Sequence, residues 1–153
     1  MTVLTHASSD DVIRTALRSR LLVEHAAVSD TVLVEELGLC RGQVRVDIAI
    51  VNGLLHAYEI KSHRDNLQRL AKQIDVYGSV VDRATIVVGD RLLQSASDAV
   101  PAWWGVIHVR TKPNGVRFTS LRRPRRNPCR NPRALAELLW SADAISLLEE
   151  RDI

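Results

Sequence analysis

The sequence predicts an α/β domain with a central mixed β-sheet flanked by helices. Three observations predict it. Segments with helical apolar spacing alternate with β-branched apolar runs. One of those runs, Ala84 to Val88, is short and continuously apolar, as a strand buried on both faces is. Asn52-Gly53 and Pro113-Asn114-Gly115 are turn signals that fold neighbouring strands back on one another.

Each element follows from its residues. Ser9 to Glu24 reads as a helix: Ser9 is placed to cap it, Asp10 and Asp11 suit the positive end of the helix dipole, and Ile13, Leu17, Leu21 and Leu22 recur at helical spacing. Thr31 to Leu37 is β-branched and apolar, a strand. Leu39 to Val44, with Gly42, reads as a turn or distorted strand. Arg45 to Val51 alternates, with Val46, Ile48 and Ile50 on one face and Arg45, Asp47 and Ala49 on the other. Leu54 to Lys61 is the return strand. Arg64 to Val81 reads as a long helix with the apolar stripe Leu67, Leu70, Ile74 and Val81. After the buried strand, Arg91 to Val100 is a helix stopped by Pro101, and Trp104 to Val109 and Val116 to Leu121 are strands. Arg122 to Pro132 is an arginine- and proline-rich connector, and Ala134 to Glu150 is a closing amphipathic helix. The chain of 153 residues is read as a single domain, with a core over about 9–110, the connector over 122–132 and the last helix over 134–150.

Composition excludes several classes. With 46% hydrophobic and 25% charged residues the chain is neither disordered nor fibrous. No apolar run approaches the ~18 residues of a membrane helix, and the polar start of the chain does not read as a signal peptide, so the expected compartment is the cytoplasm. Cys40 and Cys129 are too few for a disulfide framework or a zinc site. The net charge of +3 is modest. Its placement matters more, because a local basic stripe binds phosphate while the whole chain stays nearly balanced.

The chemistry-bearing stretch is Arg45 to Ser62. Asp47 lies on one strand, and Glu59 and Lys61 on the next, all in otherwise apolar surroundings. Unpaired charge in such strands costs several kcal/mol, so these residues call for an explanation. A two-residue Asn52-Gly53 loop pairs Asp47 with Tyr58 and sends Glu59 to the opposite face. A three-residue loop, Val51 to Gly53 with Gly53 left-handed, brings Asp47, Glu59 and Lys61 to one face, with Glu59 diagonal to Asp47 at about 7–8 Å. The chemical reading therefore expects an odd-length loop. Two carboxylates in one cleft repel each other and gain by sharing a hard divalent cation, magnesium or manganese, which keeps several of its waters. Such an ion acidifies a bound water, and Lys61 is placed to orient that water or to stabilise charge on a phosphate. The competing reading of the three charges is a structural salt-bridge cluster.

Asp47, a hairpin, then Glu59-Ile60-Lys61 resembles the signature of the PD-(D/E)XK nuclease superfamily, although Val46 stands where many members have proline. Gln73-Ile74-Asp75-Val76-Tyr77 on the following helix resembles the QxxxY element of RecB-like members. The run from Thr31 to Val88 is similar to a small, uncharacterised bacterial family assigned there. The resemblance implies a restriction-endonuclease-like core and a metal-dependent nuclease, with DNA the expected polymer and repair, recombination or defence the setting. It implies metal ligation by Asp47, Glu59, the Ile60 carbonyl and an upstream acid, for which Glu36 is favoured over Glu35, with Glu24 a weaker choice. Gln73 would hold a phosphate or orient catalytic groups, with Tyr77 packed beneath it as part of the nucleic-acid surface.

Arg41 and Arg45 are candidate phosphate contacts close to the motif. Arg122, Arg123, Arg125 and Arg126, continued by Arg130 and Arg133, form the densest basic run and are expected to bind the nucleic-acid backbone. Trp103-Trp104 is assigned to the core rather than to base stacking, and His56 and His63 to surface or core-edge positions. The alternative function is a catalytically silent nucleic-acid-binding or adaptor module, or a nuclease subunit completed by a homodimer partner or accessory protein.

Overall fold

The computed structural model describes residues 9–137. Its element order is α1 (Ser9–Glu24), β1 (Val32–Leu39), β2 (Val44–Val51), β3 (Leu55–Lys61), α2 (Leu70–Val80), β4 (Arg83–Val88), a 3-10 turn (Asp90–Leu92), α3 (Leu93–Ala99), β5 (Gly105–Lys112), β6 (Gly115–Arg122) and α4 (Pro132–Glu137). The strands form one six-stranded mixed sheet in the order β1-β2-β3-β4-β5-β6. β3, β4 and β5 run parallel to one another, and the remaining pairs are antiparallel. The sheet thus extends to Arg122, beyond the core expected over 9–110. Of the closing helix expected over Ala134 to Glu150, only the first turns lie within the described residues.

Each face of the sheet carries its own apolar cluster. Ile13, Leu17 and Leu21 of α1 pack on Ile48, Ile50, Tyr58, Ile60 and Val87 on one face. Leu70, Val76, Tyr77 and Val80 of α2 pack with Val46, Ala57, Ile86 and Trp104 on the other. The strict alternation expected of β2 therefore breaks at Asp47: Val46 serves one cluster, and Ile48 and Ile50 serve the other. Leu22, assigned to the stripe of α1, is exposed. Ser9 is already helical, and its Oγ makes no capping bond among the described residues.

The largest departure from the expected elements is the start of α2, six residues later than Arg64. Short polar side chains compete for the main chain there. Ser62 N–H donates to Asp65 Oδ2 at 2.7 Å, Arg64 N–H to Ser62 Oγ at 3.3 Å, and Gln68 N–H to Asn66 Oδ1 at 3.0 Å. These local bonds hold an irregular segment ahead of Leu70.

His56 is half-buried in β3, bonded through Nε2 to Thr85 Oγ1 at 2.8 Å and stacked on Tyr58 at a centroid distance of 4.2 Å. Burial, with the Arg83 and His25 charges, lowers its pKa to about 3. The folded protein therefore keeps His56 neutral while the unfolded chain protonates it below its ordinary value near 6.5. Its contribution is complete above pH 6.5 and is lost as the pH falls from there towards 3. Denaturant titrations at stepped pH should show stability falling by up to about 1.4 kcal/mol per pH unit from this group, with a shallower slope in His56→Gln. Equal slopes in the two proteins would refute this assignment.

Candidate active site

The candidate cluster sits where β2 and β3 part. Their paired register runs from Ile48↔Tyr58 to Val51↔Leu55 and stops there. The connecting loop has three residues, Asn52, Gly53 and Leu54, with Gly53 at φ 88°. The odd length is the one the chemistry required, but the loop begins one residue later than Val51. That shift sets Asp47 directly across from Glu59 in the continued register, rather than diagonally.

Asp47 holds the fork together. Its Oδ2 accepts the Ile60 N–H at 2.8 Å, the main-chain donor that the diverging β2 leaves without a strand partner. The Ile60 carbonyl shares that side, because both main-chain groups of a strand residue project to one edge. On the other side of β2, the β1 pairing omits the step between Glu36 and Asp47, and Glu36 has φ 55°. Cys40 at φ 48° and Arg41 at φ 58° follow in the β1–β2 turn. Such non-glycine positions cost of order 1–3 kcal/mol each and cluster at functional sites.

Glu59 is 3% exposed and held by three neighbours. Gln73 Nε2 donates to its Oε1 at 2.7 Å, Tyr77 OH donates to its Oε2 at 2.5 Å, and Lys61 Nζ lies 3.2 Å from Oε1. Burial, reinforced by the Asp47 charge, pushes the Glu59 carboxyl up to about 7 against the pull of Lys61 and Tyr77. Burial also raises Asp47, against the pull of the Ile60 N–H and Arg14. Glu59 thus feels the Asp47 charge and Asp47 that of Glu36, a crowding of negative charge that a cation would relieve.

A pocket of about 400 Å³ is lined by Asp47, Glu59, Gln73, Arg45, Arg69 and Lys72, among others. An adjoining pocket of about 120 Å³ shares Asp47, Glu59 and Arg69 and adds Asp10, Ile60 and Lys61. Two oxygens near these spaces, Asp10 Oδ1 and Gln73 Oε1, are buried without a hydrogen-bond partner among the described residues.

These residues fit magnesium or manganese in kind. The donors are hard oxygens, and such an ion needs only one or two carboxylates when it keeps its waters. Among the described residues no three Asp, Glu, His or Cys side chains converge as a ready-made metal group. Asp47 and Glu59 supply two. Glu36, opposite Asp47, turns its carboxylate onto Arg14 at 2.6 Å.

Several expected positions change. Tyr77 is fully buried with its hydroxyl on Glu59, so it positions that carboxylate and presents no surface for the nucleic-acid contact expected of it. Glu35 faces Arg18 at 3.8 Å and Glu24 pairs with Arg20 at 2.7 Å, so of the upstream acids Glu36 is the one beside Asp47. Arg41 and Arg45 stay on the site's side, Arg41 exposed in the β1–β2 turn. Arg122, Arg123, Arg125 and Arg126 do not. Arg122 donates to the carbonyls of Trp104 and Pro101, and Arg125 to that of Ala102, all near the start of β5. Lys61 ends β3, so the connector leaves from the opposite end of the parallel strands. Arg130 is tied to Asp82 at the start of β4. The connector is held as structure, with Asn127 Nδ2 donating to the carbonyls of Gly78 and Val81.

Three site residues escaped the sequence reading. Arg69 stands four residues before Gln73, a spacing that points to one shared face, whereas Lys72, one residue before it, is found through the pocket it lines. Arg14 carried no such local sign. Its Nη2 donates to Asp47 Oδ1 at 2.9 Å, across 33 residues of sequence.

The family described as Bacteriophage P4 protein cII matches residues 6–152. The chain belongs to this family. Protein cII of Enterobacteria phage P4 is 32% identical over 104 residues, 68% of this chain but 39% of the phage protein. This cII-family chain therefore corresponds to well under half of that relative. No solved structure matches it. In this cII-family chain no helix among the described residues is long and apolar enough to cross a membrane.

Proposed function

We propose that this chain is a metal-dependent phosphodiesterase that acts on nucleic acid, with DNA the expected polymer, built on the core of the PD-(D/E)XK nuclease superfamily. One observation carries the reading. Asp47, Glu59 and Lys61 meet at a strand fork, and Gln73 and Tyr77 of the next helix both bond Glu59. A structural salt bridge needs no such convergence on an acid held near pKa 7. The order helix, antiparallel meander, helix, parallel strand from α1 to β4 supports a restriction-endonuclease-like core.

Asp47, Glu59 and the Ile60 carbonyl would hold the ion, with Glu36 as a fourth donor. A magnesium or manganese ion there supplies a more acidic water and charge neutralisation at the phosphate. Gln73, Tyr77 and Lys61 fix the Glu59 carboxylate. Lys61 is also the cation beside the spot where phosphate charge would develop. Arg45, Arg69 and Lys72 line the pocket and are the backbone contacts, in place of the connector arginines.

The silent-module alternative has one observation in its favour, the Arg14 guanidinium seated between Asp47 and Glu36. A panel of labelled linear duplex, single strand, branched junction and RNA, incubated with magnesium or manganese, decides between the two. Metal-dependent cutting of any substrate, with binding weakened in Arg69→Ala and Lys72→Ala but not Arg126→Ala, is the expected result. Binding without cutting on the whole panel would replace the nuclease reading by the silent module.

A further inference from the structure

We propose that Arg14 is a built-in countercation that competes with the divalent metal for Asp47, so that metal entry requires the guanidinium to leave. The proposal rests on the reading of Asp47 and Glu59 as cation ligands. Arg14 Nη2 lies 2.9 Å from Asp47 Oδ1, and Nη1 lies 2.6 Å from Glu36 Oε1. The other Asp47 oxygen is committed to the Ile60 N–H. A metal at Oδ1 would stand within a few ångströms of the Arg14 positive charge, which repels it and whose bonds it must share.

The side chain is built to move while its backbone stays. Ile13 and Leu17, on either side of Arg14, anchor α1 in the core at 3% and 0% exposure. The Arg14 side chain itself is 28% exposed and reaches the site over a flexible stem. Its departure frees Asp47 and Glu36 together, turning a closed ion triad into a set of oxygen donors. The guanidinium so released is a planar fork suited to a phosphate. An incoming nucleic-acid backbone thus draws Arg14 away from the carboxylates and admits the metal, which couples substrate binding to metal binding.

The test is manganese binding, read by calorimetry and by the electron paramagnetic resonance of the free ion. It uses wild type, Arg14→Ala and, should that variant not fold, Arg14→Gln, with Asp47→Asn in each background to show that the ion measured is at this site. The expected result is binding about tenfold tighter without the Arg14 charge, lost again with Asp47→Asn. Equal or weaker binding in the Arg14 variants, with wild type still binding through Asp47, overturns the competition and leaves the metal reading standing. No Asp47-dependent binding in any protein overturns both.

Discussion

Asp47→Asn should lower the proposed metal-dependent cleavage by about 10³-fold and leave the fold in place. The asparagine keeps a side-chain oxygen for the Ile60 N–H, so the strand fork retains its internal bond. What disappears is the negative charge that a divalent ion needs opposite Glu59. The lost Arg14 pair is partly exposed and contributes within about 1 kcal/mol. Other substitutions in the site are less clean. Glu59→Ala strands the Lys61 ammonium at 4% exposure without its carboxylate, a change that costs about 3–5 kcal/mol. Lys61→Ala removes the charge that restrains the Glu59 carboxyl, already at about 7, and leaves more of it protonated at neutral pH. Activity lost in either would mix chemistry with folding or titration. Single-turnover cleavage rates of Asp47→Asn beside its denaturant midpoint separate the two. A variant that cuts within tenfold of wild type would remove Asp47 from the chemistry.

The parts of this site that were legible in the sequence are those governed by local rules. Strand alternation and the Asn-Gly turn placed Asp47, Glu59 and Lys61 in neighbouring strands, and a four-residue spacing placed Gln73 and Tyr77 on one helix face. The loop was read one residue early because Leu54, an apolar residue, stands in it rather than in β3. What stayed hidden depends on packing between distant segments. Arg14 is one of several arginines on α1, and only the docking of Ile13 and Leu17 on the sheet turns it towards Asp47. The connector arginines looked like a phosphate surface because sequence does not say at which end of the sheet a chain emerges. The parallel pairing of β3, β4 and β5 decides that and sends them away from the site. Leu67 continues the helical spacing of Leu70 and Ile74 back into residues 64–69, but Ser62, Asp65 and Asn66 offer the main chain nearer partners than the next turn.

Trp104→Ala should cost about 3–5 kcal/mol, the largest loss of stability expected from truncating an apolar side chain here. Trp104 is fully buried in the cluster between the sheet and α2. Its ring lies parallel to that of Tyr77, with centroids 5.4 Å apart and planes 7° from each other, and Trp103 closes the far side at 5.9 Å. Collapse cannot readily fill the cavity. The next residue is Gly105, where a Cβ would stand 2.7 Å from Thr85 Oγ1 and 2.9 Å from Pro124 Cδ, so the strand has no room to shift inward. Arg122 also holds the Trp104 carbonyl at 2.8 Å, fixing the main chain while the side chain is removed. The consequence reaches the site through one further contact. Tyr77 rests on Trp104 and gives its hydroxyl to Glu59, so a loosened Tyr77 leaves the Glu59 carboxylate with one fewer fixed donor. Trp104→Phe keeps a stacking ring and removes a buried indole N–H that lacks a partner among the described residues, so it should cost less than half as much. Urea unfolding of the three proteins measures both effects. A loss below about 1 kcal/mol in Trp104→Ala would mean that α2 and Tyr77 hold their places without the tryptophan.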